Sequence, residues 1–258
     1  MMRVRLLIRG MVPCACVAGA ALLFPGVPEN LAAQAAKPAA PASVSLFDGT
    51  SLTGWRGYKK DGATTGRWTI QDGMLTLPPN DGRDTHGARD IITVDTFDLF
   101  ELSWEWKIAQ GGNSGLKYFV LEDRDSAIGH EYQLIDDERH PDAKIGPHRQ
   151  TAALYDVLAA KIPPAPGLKK PAGEWNTSQI RVAPSRVVKG GTRVYHYLND
   201  VRVLEYELNS PELTAAIEKS KFKGNERFGK LQKGHILLQD HGNQVWFRNI
   251  RIQRLGSS

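Results

Sequence analysis

A strict two-residue alternation over residues 99–107 is the feature that most limits what this chain can fold into. Apolar side chains (Phe100, Leu102, Trp104, Trp106) alternate there with polar ones (Glu101, Ser103, Glu105, Lys107). A period of two is typical of a β-strand with one buried face and one face toward solvent. The two tryptophans are therefore predicted to pack in a core rather than to stack on a ligand.

Short segments of this kind, separated by turn residues, fill almost the whole chain after residue 44. Strands are predicted over residues 67–70, 74–77, 90–93, 99–107, 115–121, 131–135, 151–154, 175–182, 193–198, 201–208, 235–240 and 245–253. One helix is predicted, with Ser210 as its N-cap, Pro211 at its first position and its body over 212–221. Many strands, one helix and no βαβ alternation predict an all-β sandwich of antiparallel sheets.

The first 35 residues have the features of a secretory signal peptide. Arg3, Arg5 and Arg9 precede an apolar run over 11–24, and residues 33–35 form a small-x-small cleavage site. The run is too short for a stable membrane span, with an uncleaved anchor as the alternative. An Ala/Pro linker over 36–43 then leads to a single domain over 44–258. We therefore expect a periplasmic or secreted protein with no membrane span after cleavage.

Cleavage changes what the composition implies. The 258 residues include 33 Lys or Arg and 28 Asp or Glu, and loss of the segment lowers the net charge from +5 to +3. Both cysteines lie within it, so the mature chain is expected to have no disulfide, thiolate metal site or cysteine nucleophile. The rest of the chain lacks a run of Lys and Arg interleaved with aromatic residues. A nucleic-acid partner is therefore not expected.

Polar residues are concentrated over residues 129–140. On a strand, Glu131 and Gln133 share one face, and Asp136, Asp137 and His140 follow just beyond the strand end. Such a cluster at a sheet rim indicates a site, but a strand with an ordinary polar outer face accounts for it equally well.

A second group of candidates lies over residues 111–118. Asn113, Gly115 and Lys117 are expected to share one face of a strand. A glycine lets a ligand approach the backbone, and a lysine can stabilise a developing negative oxygen. A solvated lysine on an ordinary strand is the alternative.

A third group contains Gln239 and His241, because a turn explains the other polar residues beside them. His196 is kept as a candidate for ligand contact, although a buried core imidazole is the favoured interpretation. The motifs HExxH and GxSxG and a phosphate-binding glycine loop are absent from the sequence. Glu131 has no second acidic residue as a face neighbour, so the two-carboxylate arrangement of a conventional glycosidase is not evident.

Seven segments together carry a family resemblance, although each one alone is weak. They are residues 46–55 (LFDGTSLTGW), 100–120, 129–137 (GHEYQLIDD), 153–157 (ALYDV), 171–176 (PAGEWN), 196–200 (HYLND) and 237–252. In this order they resemble the 3-keto-disaccharide hydrolase family, also described as 3-keto-glucoside 1,2-lyase/3-keto-2-hydroxy-glucal hydratase proteins. Asp200 departs from the pattern, since Gly is usual after Asn. The resemblance implies a concanavalin A-like jelly roll in a secreted bacterial protein acting on oxidised sugars.

The resemblance also implies a chemistry. A ketone at C3 acidifies the hydrogen on C2, so a base can remove it, the enolate can expel the C1 substituent, and water can add back for net hydrolysis. In this interpretation Glu131 is the base or a metal ligand, and Lys117 stabilises the enolate. Asp137 and His140 are candidates for the acid or for ligands. Contacts to sugar hydroxyls are expected from Asn113, Gln133, Tyr155, His196, Gln239 and His241.

The same interpretation extends to cofactors and partners. A divalent metal ion bound by Glu131 is a further expectation, because a metal also polarises a carbonyl. A small oxidised glycoside is the expected substrate, and a sugar 3-dehydrogenase is the expected upstream partner. A non-catalytic carbohydrate-binding module and a conventional glycoside hydrolase are the alternatives.

Overall fold

The computed structural model describes residues 42–62, 65–79, 90–163 and 165–256. The strands of this part are β1 (Val44–Phe47), β2 (Trp55–Gly57), β3 (Thr69–Gln71), β4 (Met74–Leu77), β5 (Ile91–Thr93), β6 (Phe100–Ile108), β7 (Asn113–Val120), β8 (His130–Ile135), β9 (Asn176–Pro184), β10 (Thr192–Leu198), β11 (Val201–Glu207), β12 (His235–Leu238) and β13 (Val245–Arg254). The α-helix α1 spans Pro211–Ile217, and short 3-10 helices span Pro141–Lys144 and Pro147–Arg149.

The strands form two antiparallel sheets. The larger sheet has the order β11-β10-β9-β6-β13-β4-β3, and β1 also pairs with β13. The smaller sheet has the order β2-β5-β12-β7-β8, so β8 is an edge strand. Two antiparallel sheets and one α-helix confirm the predicted all-β fold class.

The core lies between the sheets. The apolar residues of the alternating strand β6 are buried and its polar residues are partly exposed, as the sequence pattern predicts. Across the interface the Trp104 ring meets the Tyr132 ring of β8 edge to face, with 5.0 Å between centroids. The two tryptophans of β6 therefore pack in the core.

Strand β7 contains a bulge that changes which of its residues face the core. Phe119 has φ of +60°, and the pairing with β12 shifts between His235 and Leu237. Tyr118 and Phe119 consequently both join the main core. Val120 then faces the other side of the sheet, where it packs with Ile92 and Leu237.

Two local predictions differ from the structure. The predicted strand over residues 151–154 is reduced to a single bridge of Leu154 with Tyr132 of β8, and residues 151–153 form a turn and a bend, because Ala152 adopts a φ of +65° that interrupts extended backbone. The predicted helix ends at Ile217 instead of Lys221. Its last backbone bonds span three residues, and the Lys221 N–H donates to Asp156 Oδ2 at 2.7 Å. The start agrees, since the Leu213 N–H donates to Ser210 Oγ at 3.1 Å.

The predicted signal peptide and most of the predicted linker lie outside the described residues. Strand β1 begins at Val44, where the domain is expected to start. Within the described part of the chain, no helix has the length and apolar character needed to cross a membrane.

Candidate active site

The face of the smaller sheet that points away from the core carries the polar residues of β7 and β8. In the register of these strands, Lys117 pairs with Glu131 and Gly115 pairs with Gln133. Because side chains alternate, all four lie on this outer face. Lys117 Nζ is 3.8 Å from Glu131 Oε2. The structure thus brings together the two residues on which the predicted chemistry depends.

Glu131 is buried although it lies on the outer face, with 4% of its surface exposed. Its carboxyl group leans over Gly115 of the neighbouring strand, where a Cβ atom would overlap it. With the Gln133 amide oriented by its neighbours, its nitrogen donates to Glu131 Oε1 at 3.2 Å and to the Ser114 carbonyl at 3.0 Å. Gln133 therefore orients the carboxyl group instead of facing an open ligand position.

Burial raises the pKa of Glu131 above its ordinary value of 4.5. The positive charges of Lys117, Lys221 and His241 lower it in part, while the negative charge of Asp90 raises it further. A carboxylate with a raised pKa is a stronger base than an exposed glutamate. This position therefore suits a group that takes up and returns a proton.

Lys117 is held in place from two sides. Its amine donates to the Ala127 carbonyl at 3.1 Å, and its side chain is only 12% exposed. Ala127 packs against the apolar cluster of Ile92, Val120 and Leu237 beside it. The ammonium group is thereby a fixed positive charge next to the Glu131 carboxylate.

Asp90 is a second acidic residue of the site that the sequence analysis missed. It immediately precedes β5 and accepts a hydrogen bond from the Asp240 backbone N–H at 2.9 Å. Burial raises its pKa, while the charge of Lys117 lowers it in part. Asp90 could have been assigned to the site only by predicting that β5 pairs with β12, because that pairing brings residues 90 and 240 together.

Tyr155 lies beside Glu131 because residues 152–155 form backbone hydrogen bonds along the outer edge of β8. The Tyr155 N–H donates to the Glu131 carbonyl at 3.0 Å. Its hydroxyl donates to Asp142 Oδ2 at 2.8 Å, and burial together with this carboxylate raises the tyrosine pKa. Arg149 joins the segment by bonding Asp142 at 2.6 Å and Asp156 at 2.7 Å.

Lys221 is a further residue of the site that the sequence analysis missed. Its amine lies 4.2 Å from the centre of the Tyr155 ring and 5.2 Å from that of Phe222. Although the residue as a whole is exposed, partial burial of the amine lowers its pKa, and the negative charge of Glu131 raises it in part. The sequence offered no signal, because Lys221 was assigned to the end of a helix.

His140 and His241 form a pair at the rim. Their ring centres are 5.9 Å apart. The Asp142 N–H donates to His140 Nδ1 at 3.1 Å, so the proton of the neutral ring is on Nε2. Burial, and then the nearby His241, lower the pKa of His140.

Asp137 is held away from this group. Its Oδ1 accepts from the Thr151 N–H at 2.9 Å and from the Thr151 hydroxyl at 3.1 Å. Its Oδ2 pairs with Lys169 Nζ at 2.6 Å. The structure therefore gives Asp137 a loop-bracing position, and the prediction of an acid or ligand role loses its geometric basis.

Gln239 and Asn113 are two further amide residues for which contacts to sugar hydroxyls are predicted. The Gln239 N–H donates to the Gly115 carbonyl at 2.9 Å, which places Gln239 beside the glycine under Glu131. Its Oε1 is buried and accepts no hydrogen bond from the part of the chain that the structure describes. Asn113 is 3% exposed, and its N–H donates to Asn243 Oδ1 at 3.2 Å. Gln239 thus presents an acceptor that a ligand hydroxyl would satisfy.

His196 lies in the core, which corrects its inclusion among the ligand-contacting residues. It is fully buried, and burial lowers its pKa to about 4. Its Nδ1 donates to the Ala152 carbonyl at 2.9 Å, and its Nε2 accepts from the Tyr118 hydroxyl at 2.8 Å. Both ring nitrogens are used between the sheets, as the favoured interpretation of a core imidazole requires.

The hydrogen bonds around His196 continue in one direction through the core. From Gly229 they run through His130, Tyr206, Tyr118 and His196 to Ala152. The Gly229 N–H donates to His130 Nε2 at 2.9 Å, which fixes the proton on His130 Nδ1. That proton is donated to Tyr206 at 2.7 Å, and Tyr206 donates to Tyr118 at 2.6 Å. Each donor has one acceptor, so the chain is complete only while both histidines are neutral.

The donor set does not fit a resident divalent cation. Among the described residues, no three His, Cys, Asp or Glu side chains gather closely enough to hold one. Glu131 has Lys117 as its near neighbour and Lys221 among its nearby charges, and ammonium groups cannot be ligands.

Fold and site together define a β-sandwich protein with a buried carboxyl group beside fixed ammonium charge on one sheet. The family profile of the 3-keto-alpha-glucoside-1,2-lyase-like domain matches residues 42–253. A protein of Bacteroides thetaiotaomicron called 3-keto-disaccharide hydrolase is 39% identical over 239 residues, which cover 82% of this chain and 78% of that protein. The chain belongs to the family of 3-keto-alpha-glucoside-1,2-lyase-like domains.

Solved structures agree with this assignment. A crystal structure of a Parabacteroides distasonis protein provisionally called a glycosyl hydrolase is 28% identical, with a TM-score of 0.68 over 83% of this chain and 94% of that chain. A second such protein of the same organism is 24% identical, with a TM-score of 0.54 over 78% of this chain and 99% of that chain, and it shows the fold alone. The predicted family, the jelly-roll fold and an enzyme acting on sugars are confirmed.

Proposed function

We propose that this enzyme cleaves 3-keto-glycosides by removing the C2 proton, eliminating the C1 substituent and rehydrating the product. The observation that carries the proposal is the buried Glu131 carboxylate, with its raised pKa, 3.8 Å from the Lys117 ammonium. A base next to a fixed cation is what enolate formation beside a ketone requires. The name of the Bacteroides relative supports the substrate class.

Glu131 takes the proton from C2, and the electron pair of that C–H bond moves toward the C3 oxygen. Lys117 donates a hydrogen bond to this oxygen as it becomes negative. Because Lys117 is already fixed by the Ala127 carbonyl, it needs little reorganisation when the charge develops. The enolate then re-forms the ketone, makes a C1–C2 double bond and expels the oxygen bonded to C1.

Hydration reverses these proton movements. Water adds to C1 of the enone, and the protonated Glu131 returns its proton to C2. The sum is hydrolysis of the C1–O bond with the ketone retained. Gln133 holds Glu131 in position, and Gln239 Oε1 accepts a hydrogen bond from a sugar hydroxyl.

Export and the substrate source belong to the same proposal. Residues 1–35 act as the signal peptide, and the mature domain acts in the periplasm or outside the cell. A sugar 3-dehydrogenase supplies the oxidised glycoside. The N-terminal sequence of protein recovered from an expressing bacterium tests export, and residue 36 is expected as the first residue.

The decisive experiment is incubation with a 3-keto-glucoside, following sugar release and enone absorbance. We expect turnover by the wild type and a loss of about 10²–10⁴-fold in Glu131→Gln, because the base is removed while the volume is kept. Glu101→Gln is the matched control, since Glu101 pairs with Arg181 on the larger sheet. Full turnover by Glu131→Gln would refute the assignment of the base.

Asp90 supports a second candidate function, that of a conventional glycoside hydrolase. Asp90 is partly buried and Glu131 is buried, the pKa of each is raised by burial, and the charge of Asp90 raises the pKa of Glu131 further. A pair of carboxyl groups is the device of such enzymes. Cleavage of the unoxidised glucoside at a rate similar to that of the 3-keto-glucoside would favour this candidate.

A further inference from the structure

We propose that Lys221 is the acid that protonates the departing glycosidic oxygen. This inference rests on the proposed function and adds a group that elimination needs. The oxygen on C1 leaves as a neutral alcohol only if a donor supplies a proton as the bond breaks.

The position of the Lys221 amine distinguishes it from Lys117. The Lys117 amine is held by the Ala127 carbonyl and by Glu131. The Lys221 amine lies over the Tyr155 and Phe222 rings, and it forms no hydrogen bond or ion pair with the part of the chain that the structure describes. Its backbone N–H, bonded to Asp156, fixes where the side chain starts. The side chain of Lys221 thus starts from a fixed backbone position, and its ammonium protons have no acceptor within the described residues.

The different exposure of Lys117 and Lys221 assigns one to the C3 oxygen and the other to the glycosidic oxygen. In a 3-keto-glycoside, C2 lies between C1 and C3, so a base at C2 has the C3 oxygen on one side and the glycosidic oxygen on the other. Lys117 is nearly enclosed, whereas Lys221 is exposed at the rim beyond the edge strand β8. The departing group must reach solvent, so it belongs on the Lys221 side.

The charge state of Lys221 suits a donor. Partial burial of the amine makes its proton easier to release, the negative charge of Glu131 favours the ammonium form, and the positive charge of Lys117 again disfavours it. As the C1–O bond breaks, its electron pair stays on the oxygen, and the proton moves from Nζ to that oxygen. In the hydration step the neutral amine takes a proton from the water that attacks C1. Lys221 is then charged again, and the cycle closes.

His241 is the main rival, since it also lies close enough to influence Glu131. It is exposed, three residues beyond the end of β12, and its ring lies beside that of His140. The Tyr155 hydroxyl is a weaker rival, because it already donates to Asp142 and its pKa is raised.

The test compares two leaving groups in the full enzyme. A methyl 3-keto-glucoside needs a protonated leaving oxygen, whereas a p-nitrophenyl 3-keto-glucoside leaves readily as the anion. In Lys221→Met we expect kcat on the methyl glycoside to fall by about 10²-fold or more and kcat on the p-nitrophenyl glycoside to fall by less than about tenfold. Exchange of the C2 hydrogen in D2O, followed by NMR, is expected to continue. Lys223→Met, an exposed lysine paired with Glu218, is the control.

Three outcomes would overturn the assignment. Equal losses on both glycosides, or loss of C2 exchange, would show that Lys221 acts on binding or on the base. A leaving-group dependence in His241→Gln that Lys221→Met lacks would assign the acid to His241. Inactivity of the wild type on both glycosides would remove the proposed function itself, which separates that failure from this one. Lys221→Gln provides a second variant should Lys221→Met fold poorly.

Discussion

The Glu131 carboxyl group lies directly over Gly115, in the space that a side chain at position 115 would fill. The two residues are on neighbouring strands but are not paired, since Glu131 is opposite Lys117. The carboxyl group therefore crosses diagonally toward β12 and Gln239. The absence of a Cβ at one position sets the place of the proposed base.

Gly115→Ala should consequently displace Glu131. We expect kcat on a 3-keto-glucoside to fall by about 10²-fold or more, because small misplacements of a catalytic group are costly. Overpacking is expected to reduce the free energy of unfolding by about 1–3 kcal/mol. Steady-state kinetics and urea unfolding check the two effects. Gly256→Ala is the control, since a Cβ there meets no atom within 4 Å, and equal activity of the two variants would contradict the prediction.

Removing Lys117 should change the pH dependence as well as the rate. Glu131 must be ionised to act, so kcat/KM falls as the pH drops through its raised pKa. Lys117 lowers that pKa in part, so Lys117→Met is expected to raise it and move the acidic limb of the profile to higher pH. The rate itself should fall by about 10²–10³-fold. A limb that stays in place, as expected for Lys223→Met, would mean that Glu131 is not the titrating base.

The buried hydrogen-bond chain predicts loss of stability on mild acidification. Burial lowers the pKa of His130 to about 3 and that of His196 to about 4, against 6.5 for an ordinary histidine. Between about pH 6.5 and 4 the unfolded chain therefore binds more protons, and the free energy of unfolding falls as the pH falls. Each histidine contributes up to about 1.4 kcal/mol per pH unit.

The His196 contribution can be isolated by substitution. Urea unfolding at several pH values is expected to give a shallower pH dependence for His196→Asn than for the wild type, because one of the two titrating groups is gone. The partly exposed His148 offers His148→Asn as the control. Parallel slopes for wild type and His196→Asn would contradict a neutral, buried His196.

Substitution of Asp156 should lower the free energy of unfolding through its backbone conformation as well as through its hydrogen bonds. It has φ of +63° and accepts hydrogen bonds from Arg149 Nε and the Lys221 N–H. Asn adopts positive φ readily and keeps an acceptor, whereas Ala does neither. We expect Asp156→Ala to cost about 2–4 kcal/mol in urea unfolding and Asp156→Asn clearly less.

Asp200 supplies the matched control for that comparison. It has nearly the same backbone conformation, with φ of +67°, but it is exposed in the β10–β11 turn. Asp200→Ala should therefore cost only the conformational part, about 1–2 kcal/mol. If Asp156→Ala costs no more than Asp200→Ala, the bonds to Arg149 and Lys221 do not stabilise the segment.

Sequence reasoning succeeded where the information is local. The alternation in β6 and the common face of Gly115 and Lys117 follow from the two-residue period of a strand. Once β7 and β8 pair, the same period brings Lys117 to Glu131. The helix start could be predicted because Ser210 and Pro211 act on the first turn alone.

It failed where distant segments meet. Lys221 reaches the site through a hydrogen bond to Asp156, 65 residues earlier in the chain. Asp90 belongs to the site through β5 and its contact with residue 240. Asp137 directly follows the polar residues of β8 in the sequence, yet Thr151 and Lys169 hold its side chain away from them. None of these contacts leaves a periodic pattern in the sequence.

The bulge at Phe119 has a consequence for the lysine two positions before it. By turning Val120 outward, the extra residue completes the small apolar cluster on which Ala127 rests, and the Ala127 carbonyl in turn holds Lys117. In a regularly alternating strand that kept all these residues, Val120 would face the inner side with Tyr118 and Ala127 would lose its support. The position of the Lys117 ammonium group thus depends on one extra residue in the strand that carries it.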